Sequence, residues 1–131
     1  MVEYIFVLAA FIAVTGILIV FKINVEKIKE NPETIQIAQR NLFIGSAISE
    51  TIPIILIVYG FATVETVENI SVPFMLVILI LAFSLFFIFL QSKVDVDENN
   101  RGPVQQFSTI SMALVSAIPI IAIVFFLTFS S

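Results

Sequence analysis

The sequence predicts an all-α membrane protein whose four transmembrane helices form two tandem helical hairpins, and three observations carry that prediction. Of 131 residues, 60% are hydrophobic and only 12% are charged, with a mean hydropathy of +1.13. A soluble domain of this size needs far more polar surface to stay dispersed. The charges are also bunched: Glu50 apart, none falls in windows 4–21, 41–64, 69–92 or 102–131. Each window is about long enough to cross a hydrocarbon core as a helix, roughly 20 residues at 1.5 Å each. Finally, the second half of the chain repeats the first.

In chain order, the first helix has no basic n-region, only Glu3, and no small-x-small site leading into a soluble domain. It is expected to be a retained helix and not a cleaved signal. The connection "KINVEKIKENPETIQIAQR" is long and polar, with charged i, i+4 pairs Lys22–Glu26 and Glu26–Glu30. Both flanking helices should therefore project beyond the membrane and turn at "ENP". The second helix carries Glu50, and the connection after it, "TVETVENIS", has no cation. The third helix is rich in phenylalanine, expected to meet lipid or core. The connection that follows, "SKVDVDENNRGP", should be a more mobile turn. Its "DVDE" lacks the glycine and the terminal glutamate of a calcium loop and reads as a solvated turn. The fourth helix completes the bundle.

The cations set the orientation. Lys22, Lys27, Lys29 and Arg40 surround the first connection, and Lys93 and Arg101 the third. The positive-inside rule places both connections in the cytoplasm and both termini on the non-cytoplasmic side. Tyr59, nine residues after Glu50, reads as an aromatic near the outer interface.

With an offset of 66 and no gap, "AISETIPIILIVYGF" (47–61) falls on "ALVSAIPIIAIVFFL" (113–127). Ala47, Pro53, Ile54, Ile55, Ile57 and Val58 meet identical residues, as do Gln39 with Gln105 and Lys27 with Lys93. A mid-helix proline is uncommon, since it removes one intrahelical hydrogen bond and crowds the preceding turn. Its recurrence in register, at Pro53 and Pro119, argues duplication and a bend at the same depth in both helices. The chain divides accordingly into 1–66, which holds the membrane carboxylate, and 67–131, where Ser116 replaces it. The hairpins are parallel repeats, unlike the inverted repeats of many alternating-access transporters.

The first hairpin, "ENPETIQIAQRNLFIGSAISETIPIILIV", and the second, "ALVSAIPIIAIVF", resemble the ring-forming c subunit of rotary ATP synthases. Asn31-Pro32-Glu33 stands at that family's loop motif and Glu50 at its membrane carboxylate. A duplicated hairpin in which one copy has lost its acid is similar to the proteolipids of vacuolar-type ATPases. The resemblance implies reversible protonation of Glu50, neutral against lipid and ionised beside an arginine of a stator subunit. It also implies a homo-oligomeric ring, or association with other membrane subunits of a rotary ATPase, in a bacterial cell membrane. Thr51 sits where sodium-type members often carry a hydroxyl, and Ser49 and Ser116 are further candidates to support the site. Ile17, near the place expected to supply a glutamine, and Ile52 favour a proton over sodium. Pro53 and Pro119 are bend-makers with no chemistry of their own. The first helix has one glycine, Gly16, and the third has none, where family rings pack a narrow inner circle on glycines.

Other classes are disfavoured. The chain has no cysteine, histidine or tryptophan, and Glu50 is its one buried acid. General acid–base chemistry would lack a partner, and no cofactor or metal is predicted. A net charge of −4 argues against nucleic acid and against a polybasic lipid-binding patch. Two alternatives stay open: a c-subunit-like membrane protein with a structural, assembly or regulatory role, and a small cation-coupled transporter. Glu50 itself has a plain alternative, a protonated carboxyl that hydrogen-bonds a neighbouring helix.

Overall fold

The computed structural model describes residues 2–63 and 71–129. They form α1 (Val2–Glu30), a 3-10 turn (Pro32–Thr34), α2 (Ile35–Thr63), α3 (Ser71–Gln91) and α4 (Arg101–Phe129), with no strand among the described residues. All four helices are long and apolar enough to cross a membrane. The cation-free connection after α2 falls largely outside the described residues.

The turn between α1 and α2 follows from one proline. A residue before proline is driven out of the helical region, and Asn31 is extended (φ −143°, ψ 96°). Its side chain then accepts the Glu33 amide at 3.2 Å, and Thr34 donates through Oγ1 to the Asn31 carbonyl at 2.8 Å. Helix α1 continues well beyond Phe21 before this turn, so it projects past its apolar window as the charged pairs predict.

The connection between α3 and α4 is more organised than the sequence suggests. Asp95 takes a left-handed conformation (φ 55°), which aspartate tolerates better than most residues. The Asp97 carboxylate accepts the amides of Asn99 and Asn100, and Asn100 Oδ1 accepts the Asp97 amide at 2.9 Å. Asn100, buried, also donates through Nδ2 to the carbonyls of Asp95 and of Lys29 at the end of α1. A turn expected to be loose and solvated is thus closed by its own Asx side chains and docked on another helix. Aspartate and asparagine favour turns because their short side chains bond backbone groups a few residues away.

Helix α1 is the hub. It packs against α2, α3 and α4, while α4 also packs against α3 and more lightly against α2. Two apolar clusters run along this axis. In the first, Phe6 stacks on Phe125 of α4 with ring centroids 3.8 Å apart, among Ala9, Ala10, Ala13 and Ala122. In the second, Phe21 stacks on Phe107 of α4 among Ile17, Val25, Leu42 and Ile88. Polar ties at one end reinforce the hub. Asn24 accepts from Asn41 of α2 at 3.1 Å, Lys22 donates to Gln91 of α3 at 2.7 Å, and Asn100 reaches Lys29. The outer faces stay apolar, with Ile44, Ile48, Ile52 and Ile55 exposed on α2 and Phe83, Phe86 and Phe89 on α3. Patches of that extent are not stable in water and suit lipid contact.

Candidate functional site

Glu50 lies 15 residues after the start of α2 and 13 before its last described residue, so it sits near the middle of the helix. At 1.5 Å per residue that is about 22 Å from the polar end. The stripe Ser46, Pro53, Ile57 and Gly60 is buried, and Glu50 lies on the flank of it, half-buried. Its Oε1 is fully buried and has no hydrogen-bond partner among the described residues. The same holds for Ser46 Oγ, one helical turn earlier. Residues four apart share a helix face, so two unsatisfied oxygens lie on one side of α2 within one turn. Each such buried group costs about 1–3 kcal/mol relative to a satisfied one. Nothing in the residue type of Ser46 alone marks it as part of a site. The i, i+4 spacing in "SAISE" is the signal that could have found it.

The other sequence-predicted residues are placed as follows. Ser49 faces α1, where a side chain on Gly16 would overlap it, so it serves the contact between the two helices. Thr51 is exposed and donates to its own helix at the Ala47 carbonyl, 2.9 Å away. Ser116 donates to the Met112 carbonyl of its own helix at 2.7 Å. It stands nine residues, a half-turn offset, from Phe125, whose ring meets Phe61 of α2 at 5.5 Å. Ser116 therefore leaves α4 on the side away from that contact. The structure brings Ser46, not Thr51 or Ser116, onto the face that carries the Glu50 carboxyl.

Pro53 and Pro119 are both buried inside helices that run on through them. Proline has no N–H to donate, so Pro53 leaves the carbonyl of Ser49 without its usual i+4 donor, next to Glu50 in the chain. Ile17 is fully buried and apolar and supplies no oxygen ligand. No ion pair reaches Glu50 among the described residues. The ion pairs that involve Glu26, with Lys22 at 2.8 Å and Lys29 at 3.7 Å, lie further along α1 toward its polar end. Among the described residues no three acids, histidines or cysteines gather as metal ligands would.

The arrangement can hold a proton on an oxygen that is shielded from water and has no acceptor or cation among the described residues to compete for it. Comparison with protein-family models, with curated proteins and with solved structures yields no match to this chain.

Proposed function

We propose that this chain is a proton-carrying membrane subunit related to the c subunits and proteolipids of rotary ATPases, with Glu50 as the carrier. The observation that supports this reading best is the buried, unpartnered Oε1 of Glu50. The plain alternative, a carboxyl retained to bond a neighbouring helix, calls for a partner, and none is found among the described residues. Such interhelical bonds average only about 0.6 kcal/mol in any case, against an insertion cost of roughly 2.5–3.5 kcal/mol for a charged acid at mid-helix. A group that costs this much and ties nothing together fits a transient bond to something outside the chain: a proton, and then a cation on another subunit.

Duplication of a hairpin is supported by burial as well as by identity. Helices α2 and α4 begin at Ile35 and Arg101, 66 residues apart (101 − 35), the same offset that aligns the two motifs. The pairs Ala38/Val104, Leu42/Ser108, Pro53/Pro119 and Gly60/Phe126 are buried in both copies. Both cation-bearing connections lie at one end, joined by the Asn100–Lys29 bond, which suits a cytoplasmic placement of that end. A second reading, a c-like protein that no longer rotates, draws on a specific observation. Ala9, Ala10, Ala13 and Gly16, the small residues that could bring neighbouring subunits close, are turned toward the helices of the same chain.

Carbodiimide labelling tests the carrier. The protein in mild detergent is treated with dicyclohexylcarbodiimide over a pH series and weighed intact. One adduct is expected on the wild-type chain, forming where the carboxyl is protonated, and absent from Glu50→Gln. No adduct at any pH, or one that persists in the variant, would overturn the proposal. Cross-linking in the intact membrane before extraction, followed by mass spectrometry, separates the two readings, because a closed assembly of many copies supports the rotor and a monomer or dimer supports the non-rotating protein.

A further inference from the structure

The end of α3 and the first turns of α4 enclose a second polar feature, independent of Glu50. Ser92, Lys93, Val96, Arg101 and Gln105 line a cavity of about 250 Å³ that opens to the surface. Two cations, a hydroxyl and an amide converge there, and no acidic side chain among the described residues lines it. The acids of the same connection are placed elsewhere: Asp97 accepts the amides of Asn99 and Asn100, and Asp95 and Glu98 are exposed. Among the described residues neither cation pairs with a carboxylate. The Lys93 ammonium instead rests 5.5 Å over the Phe89 ring.

That position is informative. Phe89 and Leu90 are exposed apolar residues in the last turns of α3, and the cavity begins where the apolar helix ends. A chain that spans a bilayer here puts the cavity at headgroup level, with acyl-chain surface directly below it. Arginine offers a planar fork suited to two phosphate oxygens, and lysine adds a mobile point charge. The Gln105 amide supplies donors to the remaining oxygens, while the Ser92 hydroxyl donates to the Phe89 carbonyl at 2.6 Å, and the positive end of the 29-residue α4 adds to the attraction. Basic pockets between transmembrane helices on the cytoplasmic side bind anionic headgroups for these reasons. The chain-wide charge of −4 argues against a broad polybasic patch; the two unneutralised cations of this cavity form a smaller, local site.

We propose that the cavity formed by Ser92, Lys93, Arg101 and Gln105 binds a phosphate group carrying at least one negative charge, such as the headgroup of an anionic membrane lipid. The site goes beyond the reading of Glu50 and does not rest on it.

The test is native mass spectrometry of the detergent-solubilised protein titrated with phosphatidylglycerol and, separately, phosphatidylcholine, with and without millimolar inorganic phosphate. The wild-type chain is expected to retain phosphatidylglycerol in preference to phosphatidylcholine. The double variant Lys93→Gln/Arg101→Gln should lose that preference by roughly tenfold to thirtyfold, from about 1 kcal/mol per cation. The double variant Lys27→Gln/Arg40→Gln, which removes two exposed cations of the first connection, should keep it. Should the first variant not fold, Gln105→Ala keeps both charges and should weaken retention by a smaller factor. Retention that survives inorganic phosphate assigns the site to a lipid headgroup; retention competed away by phosphate assigns it to free phosphate. Equal retention of the two lipids with no binding of phosphate overturns the site. So does wild-type behaviour of the cavity variants, or an equal loss in Lys27→Gln/Arg40→Gln.

Discussion

Replacing Gly16 by alanine should separate α1 from α2 at the depth of Glu50. An added Cβ at Gly16 would stand 2.6 Å from Ser49 Cβ and overlap Ser49 Oγ, with Ser49 Cα at 3.6 Å. Carbon atoms pack at about 3.5–4.0 Å, so the contact is short by roughly 1 Å. The hydroxyl can rotate away, but Cβ is fixed to the backbone, so one helix must move. Overpacking of this kind costs about 1–3 kcal/mol, a factor of roughly 5 to 150 in the folded ratio. Ser49→Gly removes both offending atoms and leaves Cα at an ordinary distance. The Gly16→Ala/Ser49→Gly double variant should then lie within about 1 kcal/mol of Ser49→Gly alone, the single variant bearing the usual cost of glycine in a helix. Reversible unfolding in mixed micelles, run as a double-mutant cycle, reads the coupling directly. A neutral Gly16→Ala, or additive effects of the two changes, would refute the packing described here.

Two further predictions concern the polar end. Asn100→Ala removes the side-chain bonds that close the turn before α4 and its bond to Lys29 together, and should destabilise by about 1–2 kcal/mol in the same unfolding assay. Lys22→Met removes exposed contacts to Glu26 and Gln91, and should shift stability by less than about 1 kcal/mol, with the difference shrinking as salt is added.

Much of this architecture can be read from the chain because a bilayer demands long uncharged windows and a proline dictates where a helix stops. The four spans, the turn at Asn31-Pro32 and the projection of α1 beyond Phe21 all follow from such local rules. What is not legible depends on partners distant in sequence. Asn24 and Asn41, or Asn100 and Lys29, carry no mutual signal along the chain. Nor does the pattern reveal that α1 is central. Helices that are apolar all round have no contrast between a core face and a lipid face, so hydropathy cannot rank them. Glu50 stands out as the one charge in four apolar windows, whereas Ser46, its unsatisfied neighbour, looks like any other serine. Serines in membrane helices usually bond back to their own backbone, as Ser84, Ser111 and Ser116 do; only the three-dimensional structure shows that Ser46 does not.

The distribution of small residues bears on how copies of this chain could assemble. Close approach between membrane helices needs glycine, alanine or serine at the contact. Here the small residues of α1 are spent inside the chain, Ala9, Ala10 and Ala13 in the apolar cluster and Gly16 against Ser49. The outer faces of α2 and α3 are lined mainly by Ile44, Ile48, Ile52, Ile55 and Tyr59 and by Leu79, Phe83, Phe86 and Leu90, with Ala47 on α2 and Ala113 and Ala117 on α4 as exposed small residues. Large side chains hold helix axes toward the wide end of the usual 8–10 Å range. A ring built on these faces would therefore be wider per helix than one built on glycines. Its contacts would be more easily dissolved by detergent, since lipid and detergent tails compete on equal terms with isoleucine and phenylalanine. A closed assembly that survives mild detergent would have to be held by something other than this apolar contact, and Ser46 Oγ and Glu50 Oε1 are buried oxygens of α2 without a partner among the described residues.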